Sequence, residues 1–268
     1  MHGIPSHDGP RSIDWGRTSV DYSDWRPDYP DEFYVRLKSL GVGLSGQAIL
    51  DLGTGVGFLA ARFASQGASV VGVDVAEGQI DAARRRAHDS GCTIDFCVAA
   101  AEETGLPDAA FDVISASQCW LYFDRERMIA EVCRLLNPDG VLLLAHFCWL
   151  PRVDEIARAS EALVLRFNPD WTGADWSGEI PESPSWAAGR FAKVGGFVFD
   201  ADIPFTHESW RGRLRACRGV GASLTADEVA AFDAAHAELL NAKVPADFTV
   251  RHRIDALLLR PIWNDSTS

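Results

Sequence analysis

The sequence predicts an α/β domain built on a doubly wound, mostly parallel sheet. Two observations carry that prediction. Between residues 48 and 147 short apolar runs alternate with segments of helix length, and the first run breaks at once into glycines, ILDLGTGVG at 49–57. Strands separated by helices of this length imply right-handed crossovers and helices on both faces of the sheet.

The elements follow in order. After a polar, Pro- and aromatic-rich start through Asp31, residues 32–40 carry apolar side chains at helical spacing, and Gly41 and Gly43 stop that helix. AILDL at 48–52 is the first strand, followed by a helix over 58–66, a strand over 68–74, a helix over 77–88 and strands over 92–98 and 111–117. A helix over 125–136 closes at the Asn137-Pro138-Asp139-Gly140 turn, before a strand over 141–147. From Pro151 the pattern loosens. A helix over 153–167 leads into NPDWTGADWSGEIPESPSW, where Trp171, Trp176 and Trp186 sit among Gly, Pro, Ser and acids. That stretch is too aromatic for a linker and too broken for a regular element, so it reads as a cap. A helix over 185–194, a strand over 196–205, helices over 207–219 and 226–243 and a last strand over 248–261 complete the chain.

Composition excludes several functions. The 268 residues hold 25 Lys+Arg against 38 Asp+Glu, a net charge of −13, which repels nucleic-acid phosphates and anionic membrane surfaces. No apolar run approaches the roughly 20 residues needed to span a bilayer, and the start MHGIPSHDGPRSIDWGR has no apolar core to act as a secretion signal. A cytoplasmic protein with no membrane or nucleic-acid partner is expected. The six cysteines show no CxxC pair and no Cys/His metal spacing, so they read as reduced core residues and no metal site is expected.

The chemistry centres on residues 49–60. A buried strand delivers Asp51 to its carboxyl end, where Gly53, Gly55 and Gly57 allow a tight turn whose amides approach a ligand at a helix N-terminus. Two cofactor classes use such a turn. Counted from Gly53, the dinucleotide pattern GxGxxG/A fails at Phe58; counted from Gly55, GVGFLA fits it through Ala60, which keeps a nicotinamide oxidoreductase open. Asp51 weighs against pyrophosphate and for a cationic ammonium or sulfonium ligand. Asp74, about 20 residues on at the end of the second strand, suits both ribose hydroxyls in either class.

In this order, LDLGTGVG, VVGVD, AAAEETGLPDAAFDVI and RLLNPDGVLLLAHF resemble the markers of class I S-adenosylmethionine-dependent methyltransferases. YSDWRPDYP at 22–30 is similar to the leading segment of small-molecule members of the trans-aconitate and ubiquinone-pathway type. The resemblance implies a Rossmann-like, seven-stranded sheet, S-adenosyl-L-methionine as cofactor, S-adenosyl-L-homocysteine as product and a small-molecule acceptor, in a monomer or homodimer. It divides the chain into a cofactor-covering segment and first helix (1–45), a cofactor-binding core (46–150), an acceptor cap (151–195) and the strands and helices that complete the sheet (196–268). It implies that Asp51, Gly53, Thr54, Gly55 and Gly57 hold the methionine end, that Asp74 and Val75 meet the ribose and that the backbone of Ala101 and Glu102 flanks adenine. Tyr22 and Arg26 would cover the methyl group and meet the carboxylate; the alternative for their segment is a surface polyproline stretch pinned by Pro27 and Pro30. Ser117 and Gln118 close the site, and Trp120, Trp171 and Trp176 are candidate acceptor walls, with ordinary packing as their alternative.

The chain departs from its relatives at two places. Ala100 stands where many carry Asp, and Leu121-Tyr122-Phe123 stands where close ones have His-Trp-Phe. The Asn/Asp-Pro-Pro-aromatic string of enzymes acting on nucleic-acid bases is absent after the fourth strand. His146 near the end of the fifth strand is the catalytic candidate, able to take a proton from a hydroxyl or to orient a carboxylate, against the reading of a satisfied core histidine. His207 and Glu208 read as a helix N-terminal turn, His252 as structural or solvent-facing, and Arg84-Arg85-Arg86 as a solvated helix face. One of Arg211, Arg213, Arg215 and Arg218 could bind an acidic acceptor. A repurposed or non-catalytic S-adenosylmethionine-binding protein is the second alternative, because methyl transfer demands alignment more than a strong nucleophile.

Overall fold

The computed structural model describes residues 7–8 and 11–263. Part of the N-terminal segment expected over 1–45, residues 1–6 and 9–10, therefore lies outside the described residues. Seven strands form one sheet: β1 (Ala48–Leu52), β2 (Ser69–Asp74), β3 (Asp95–Val98), β4 (Phe111–Ser117), β5 (Leu136–Trp149), β6 (Phe191–Thr206) and β7 (Asp247–Pro261). Their order is β3-β2-β1-β4-β5-β7-β6. The first five run parallel, and β7 lies antiparallel between β5 and β6. This is the doubly wound, mostly parallel sheet that the alternating pattern predicts. β1 explains the pattern locally: Ile49, Leu50 and Leu52 are fully buried on its two faces, which only a strand covered by helices on both sides requires.

Helices α1 (Ser19–Trp25), α2 (Asp31–Ser39), α3 (Phe58–Ser65), α4 (Glu77–Asp89), α5 (Arg125–Leu135), α6 (Glu155–Phe167), α7 (His207–Arg215) and α8 (Ala226–Lys243) complete the fold. Side-chain caps set several starts. Asp124 accepts from the Arg127 amide, Asp154 from the Ala157 amide, and Thr225 and Glu228 form a reciprocal capping box at α8. One apolar layer, with Phe33, Phe63, Trp210 and Phe232, packs α2, α3 and the late helices on one face; Met128, Val132 and Leu135 of α5 cover the other.

Four local expectations are corrected. Helix α1 occupies part of the stretch read as irregular. The Asn137-Pro138-Asp139-Gly140 turn is a bulge within β5, where the register jumps from Phe111↔Leu136 to Val113↔Val141 and Asn137 Nδ2 donates to Asp112 Oδ1 at 2.5 Å. No helix forms over 185–194: Ser185–Ala187 is a single 3₁₀ turn and β6 starts at Phe191, because that segment pairs in register with the end of β7 from Phe191↔Pro261 onward. Arg86, read as solvated, is half-buried over the Phe58 ring at 3.8 Å and donates to the carbonyls of Val56 and Ser23, tying α1 to the glycine turn.

Candidate functional site

The end of β1 turns through Gly53, Gly55 and Gly57, all in the left-handed region at φ of 58°, 56° and 81°. At Gly53 the need for glycine is also steric, because a Cβ there would sit 2.8 Å from Cys119 Sγ. Parallel pairing of β1 with β4 sets Asp51 opposite Ser115, and Ser115 Oγ donates to Asp51 Oδ1 at 2.7 Å while Thr54 Oγ1 donates to Oδ2 at 2.7 Å. Asp51 is 2% exposed, and burial pushes its carboxyl up to about 6 despite those two bonds, with Asp74 adding to the rise.

Asp51 lines a small cavity of about 40 Å³ with Tyr22, Arg26, Tyr29, Gly53, Thr54 and Ser117. The structure thus brings together six of the residues singled out from sequence, drawn from α1, β1 and β4. Arg26 lies over the Tyr22 ring at 4.8 Å, and Tyr29, missed by the sequence reading, closes the wall through a 2.7 Å bond to Ser117 Oγ. The segment after α1 is extended, with Arg26 at φ −75°, ψ 123° and Pro30 at φ −57°, ψ 150°, so a polyproline-like stretch and a cavity wall are the same residues.

Asp74 stands at the end of β2. Its Oδ2 accepts from the Gly55 amide and its Oδ1 from the Ala76 amide, each at 2.9 Å, which couples it to the glycine turn and leaves each oxygen a further lone pair. Burial raises its carboxyl, and the Ala76, Gly55 and Val75 amides oppose that rise. Val75 beside it is 69% exposed, an apolar face open next to a carboxylate. Ala101 is buried, and Glu102 accepts from the Asp124 amide at the start of α5.

Gln118 adopts φ 64° just past β4, held by its amide on the Ala145 carbonyl at 3.0 Å and its Nε2 on the Phe147 carbonyl at 2.5 Å. The expected acceptor walls part company. Trp120 stacks on Trp186 at 4.9 Å, Trp176 is half-buried and Trp171 is buried in the core against Gly219; none of the three lines the cavity. His146 pairs across the sheet with Asp255 on β7; its Nδ1 lies 3.1 Å from Asp255 Oδ2, with Asp255 buried and the imidazole part-exposed. The sequence pattern held no signal for Asp255, since only the antiparallel register of β5 and β7 brings it to His146. Of the two readings of His252 the structural one holds: it is buried among Phe147, Trp149, Phe205 and Trp210, donates from Nδ1 to the Val250 carbonyl at 2.8 Å, and burial lowers it to about 3.

A larger open groove of about 530 Å³ runs along α7 and α8, but Arg211 and Arg215 there are both bound by Asp233. The smaller cavity is the better candidate, because it is lined by the buried Asp51 and by Arg26, neither of which forms such an ion pair among the described residues.

Residues 50–144 match the family model described as "Methyltransferase domain". Over that stretch the chain is similar to methyltransferase domains. It is similar to the ubiquinone biosynthesis O-methyltransferase of Actinobacillus pleuropneumoniae, 36% identical over 118 residues that cover 42% of this chain and 50% of that protein. Among solved structures it resembles a candidate type II methyltransferase from Anaeromyxobacter dehalogenans at a TM-score of 0.56 and 24% identity, covering 88% of this chain and 97% of that one. It also resembles a Haemonchus contortus phosphoethanolamine N-methyltransferase bound to phosphomonomethylethanolamine and S-adenosylhomocysteine, at a TM-score of 0.51 and 18% identity, covering 90% and 56%. These structures share the class I fold. The chain spans about half the length of the curated relatives it matches. Among the described residues, no helix is long and apolar enough to cross a membrane.

Proposed function

We propose that this protein is an S-adenosylmethionine-dependent methyltransferase of a small-molecule acceptor, working in the cytoplasm as a monomer or homodimer. One observation carries the reading: a single cavity is lined by the buried Asp51 carboxylate and by the Arg26 guanidinium, across a glycine turn. That is the complement of an amino-acid zwitterion attached to a sulfonium, and it is a poor match to a pyrophosphate, which would meet Asp51. The residues fit the cofactor, since among the described residues Asp51 forms no ion pair while it lines the cavity.

S-adenosylmethionine, when bound, would supply a methyl group on a sulfonium whose neutral thioether is a very good leaving group. The chain's own residues then have to bind, align and exclude water. Asp51 balances the ammonium and sulfonium charge, and Arg26 meets the carboxylate. Asp74 accepts hydrogen bonds from the ribose hydroxyls on its remaining lone pairs, Val75 offers an apolar face and the Ala101-Glu102 backbone borders adenine. Tyr22 and Tyr29 close the cavity over the reacting centre. His146, its Nδ1 oriented by Asp255, keeps Nε2 for a proton from a hydroxyl acceptor, the role such an acceptor requires of a base.

The test is titration of the protein with S-adenosylhomocysteine and NAD, followed by detection of S-adenosylhomocysteine formed from S-adenosylmethionine with a panel of small hydroxyl and amine acceptors. Binding and turnover support the reading. Binding without product from any acceptor favours a non-catalytic binding protein, and a preference for NAD overturns it.

A further inference from the structure

The four arginines of α7 and the turn after it have different fates. Asp233 binds both Arg211 and Arg215, Asp21 also binds Arg215, and Arg218 donates to Thr172 Oγ1. Arg213 is 7% exposed, yet among the described residues its guanidinium has no carboxylate or carbonyl at hydrogen-bonding distance. Its contact is the Trp149 ring, 4.7 Å beneath it, and that ring is fixed by a 2.6 Å bond from Nε1 to the buried Glu161. A buried guanidinium without a counter-ion is costly, and an anion at that place removes the cost.

The position of Arg213 relates it to the cavity. Trp25 packs against Gly212, where a Cβ would overlap its indole, so the Trp25-Arg26 end of α1 docks on the Gly212-Arg213 stretch of α7. From the cavity wall a row of rings runs Tyr29–Phe147 at 5.2 Å, Phe147–His252 at 5.1 Å and His252–Trp149 at 6.4 Å, ending beneath Arg213. Arg26 and Arg213 repel each other, and burial with that repulsion lowers Arg213 to about 10, so the region is electropositive even in a protein of net charge −13.

We propose that Arg213 is the receptor for a carboxylate on the methyl acceptor. The inference rests on the methyltransferase reading above and narrows its acceptor class to small organic carboxylates. Arg26, whose own partner is the cofactor's carboxylate, adds to the field without being the receptor.

Benzoate and its neutral counterpart benzamide are the probes, titrated into the S-adenosylhomocysteine-saturated protein while tryptophan fluorescence is followed. Benzoate should bind at least tenfold more tightly than benzamide and perturb the emission. Arg213→Met should abolish that preference, retain S-adenosylhomocysteine binding and leave Tm unchanged or higher, because it removes a buried unpaired charge. Arg213→Lys should keep a weakened preference, which covers the case in which the Met variant does not fold. Equal binding of the two probes to wild type, or a benzoate preference that survives in Arg213→Met, overturns the proposal. Failure of S-adenosylhomocysteine itself to bind wild type would instead overturn the methyltransferase reading.

Discussion

Replacing Asp51 with Asn separates stability from binding. The Asp51 carboxyl rises from 3.8 to about 6 in the folded protein, chiefly through burial. At 1.36 kcal/mol per unit, that is about 3 kcal/mol between the two states. The sign follows from the raised folded value. Below pH 4 the group is protonated in both states and its stabilising contribution is fully present; it is lost as pH rises toward and through 6, and at pH 7 the folded state carries the full penalty of a buried charge. Asn has the same shape, no charge, and hydrogen-bonding capacity for Ser115 and Thr54, so Asp51→Asn should gain up to about 3 kcal/mol at pH 7 and little at pH 4. The same substitution removes the anion facing the cavity and should weaken S-adenosylhomocysteine binding at least tenfold. Urea denaturation of the ligand-free protein at pH 4 and pH 7 reads the first effect, and isothermal titration at pH 7 reads the second. Destabilisation at pH 7, or a gain equal at both pH values, would refute the buried-charge argument; unchanged affinity would refute the placement of Asp51 at the ligand's cation.

Other substitutions test the site at separate points. Asp74→Ala should lower affinity for S-adenosylhomocysteine by at least about 1 kcal/mol, since it removes charge-assisted bonds to ribose and releases the Gly55 and Ala76 amides; isothermal titration with no change would sink its assignment. Gly53→Ala must hold φ 58° and force Cβ toward Cys119, a loss of about 2–4 kcal/mol in urea denaturation, and wild-type stability would show that the turn is not built as described. His146→Gln should depress turnover of a hydroxyl acceptor while cofactor affinity stays intact, and unaltered kcat would make His146 a structural partner of Asp255.

The parallel half of the sheet was legible because each strand is a buried apolar run, as in AILDL, and each helix shows its own period and stop. The glycine-turn part of the candidate cavity was legible for a related reason. Asp51, the three glycines and Asp74 are close in sequence and belong to a single strand–turn–helix–strand unit whose two strands pair, so spacing alone predicts their neighbourhood. Contacts created by tertiary register were not legible. Asp255 reaches His146 only through β5–β7 pairing, Arg86 reaches Ser23 across 63 positions, and Tyr29 joins Ser117 across 88. The missed start of β6 has a similar origin. Residues 191–195 have no strong strand alternation of their own, and their conformation follows from the edge that β7 offers them. Among the α7 arginines sequence raised an acidic acceptor without choosing a residue, because the choice depends on which guanidinium lacks a carboxylate in three dimensions.

The central claim is that the Asp51–Arg26 cavity takes a sulfonium amino acid joined to a nucleoside. The most direct test is parallel isothermal titration of the protein with S-adenosylmethionine, S-adenosylhomocysteine and NAD. Micromolar binding of both adenosyl compounds with no heat from NAD is the predicted result. Tighter binding of NAD, or heat from none of the three, would contradict it.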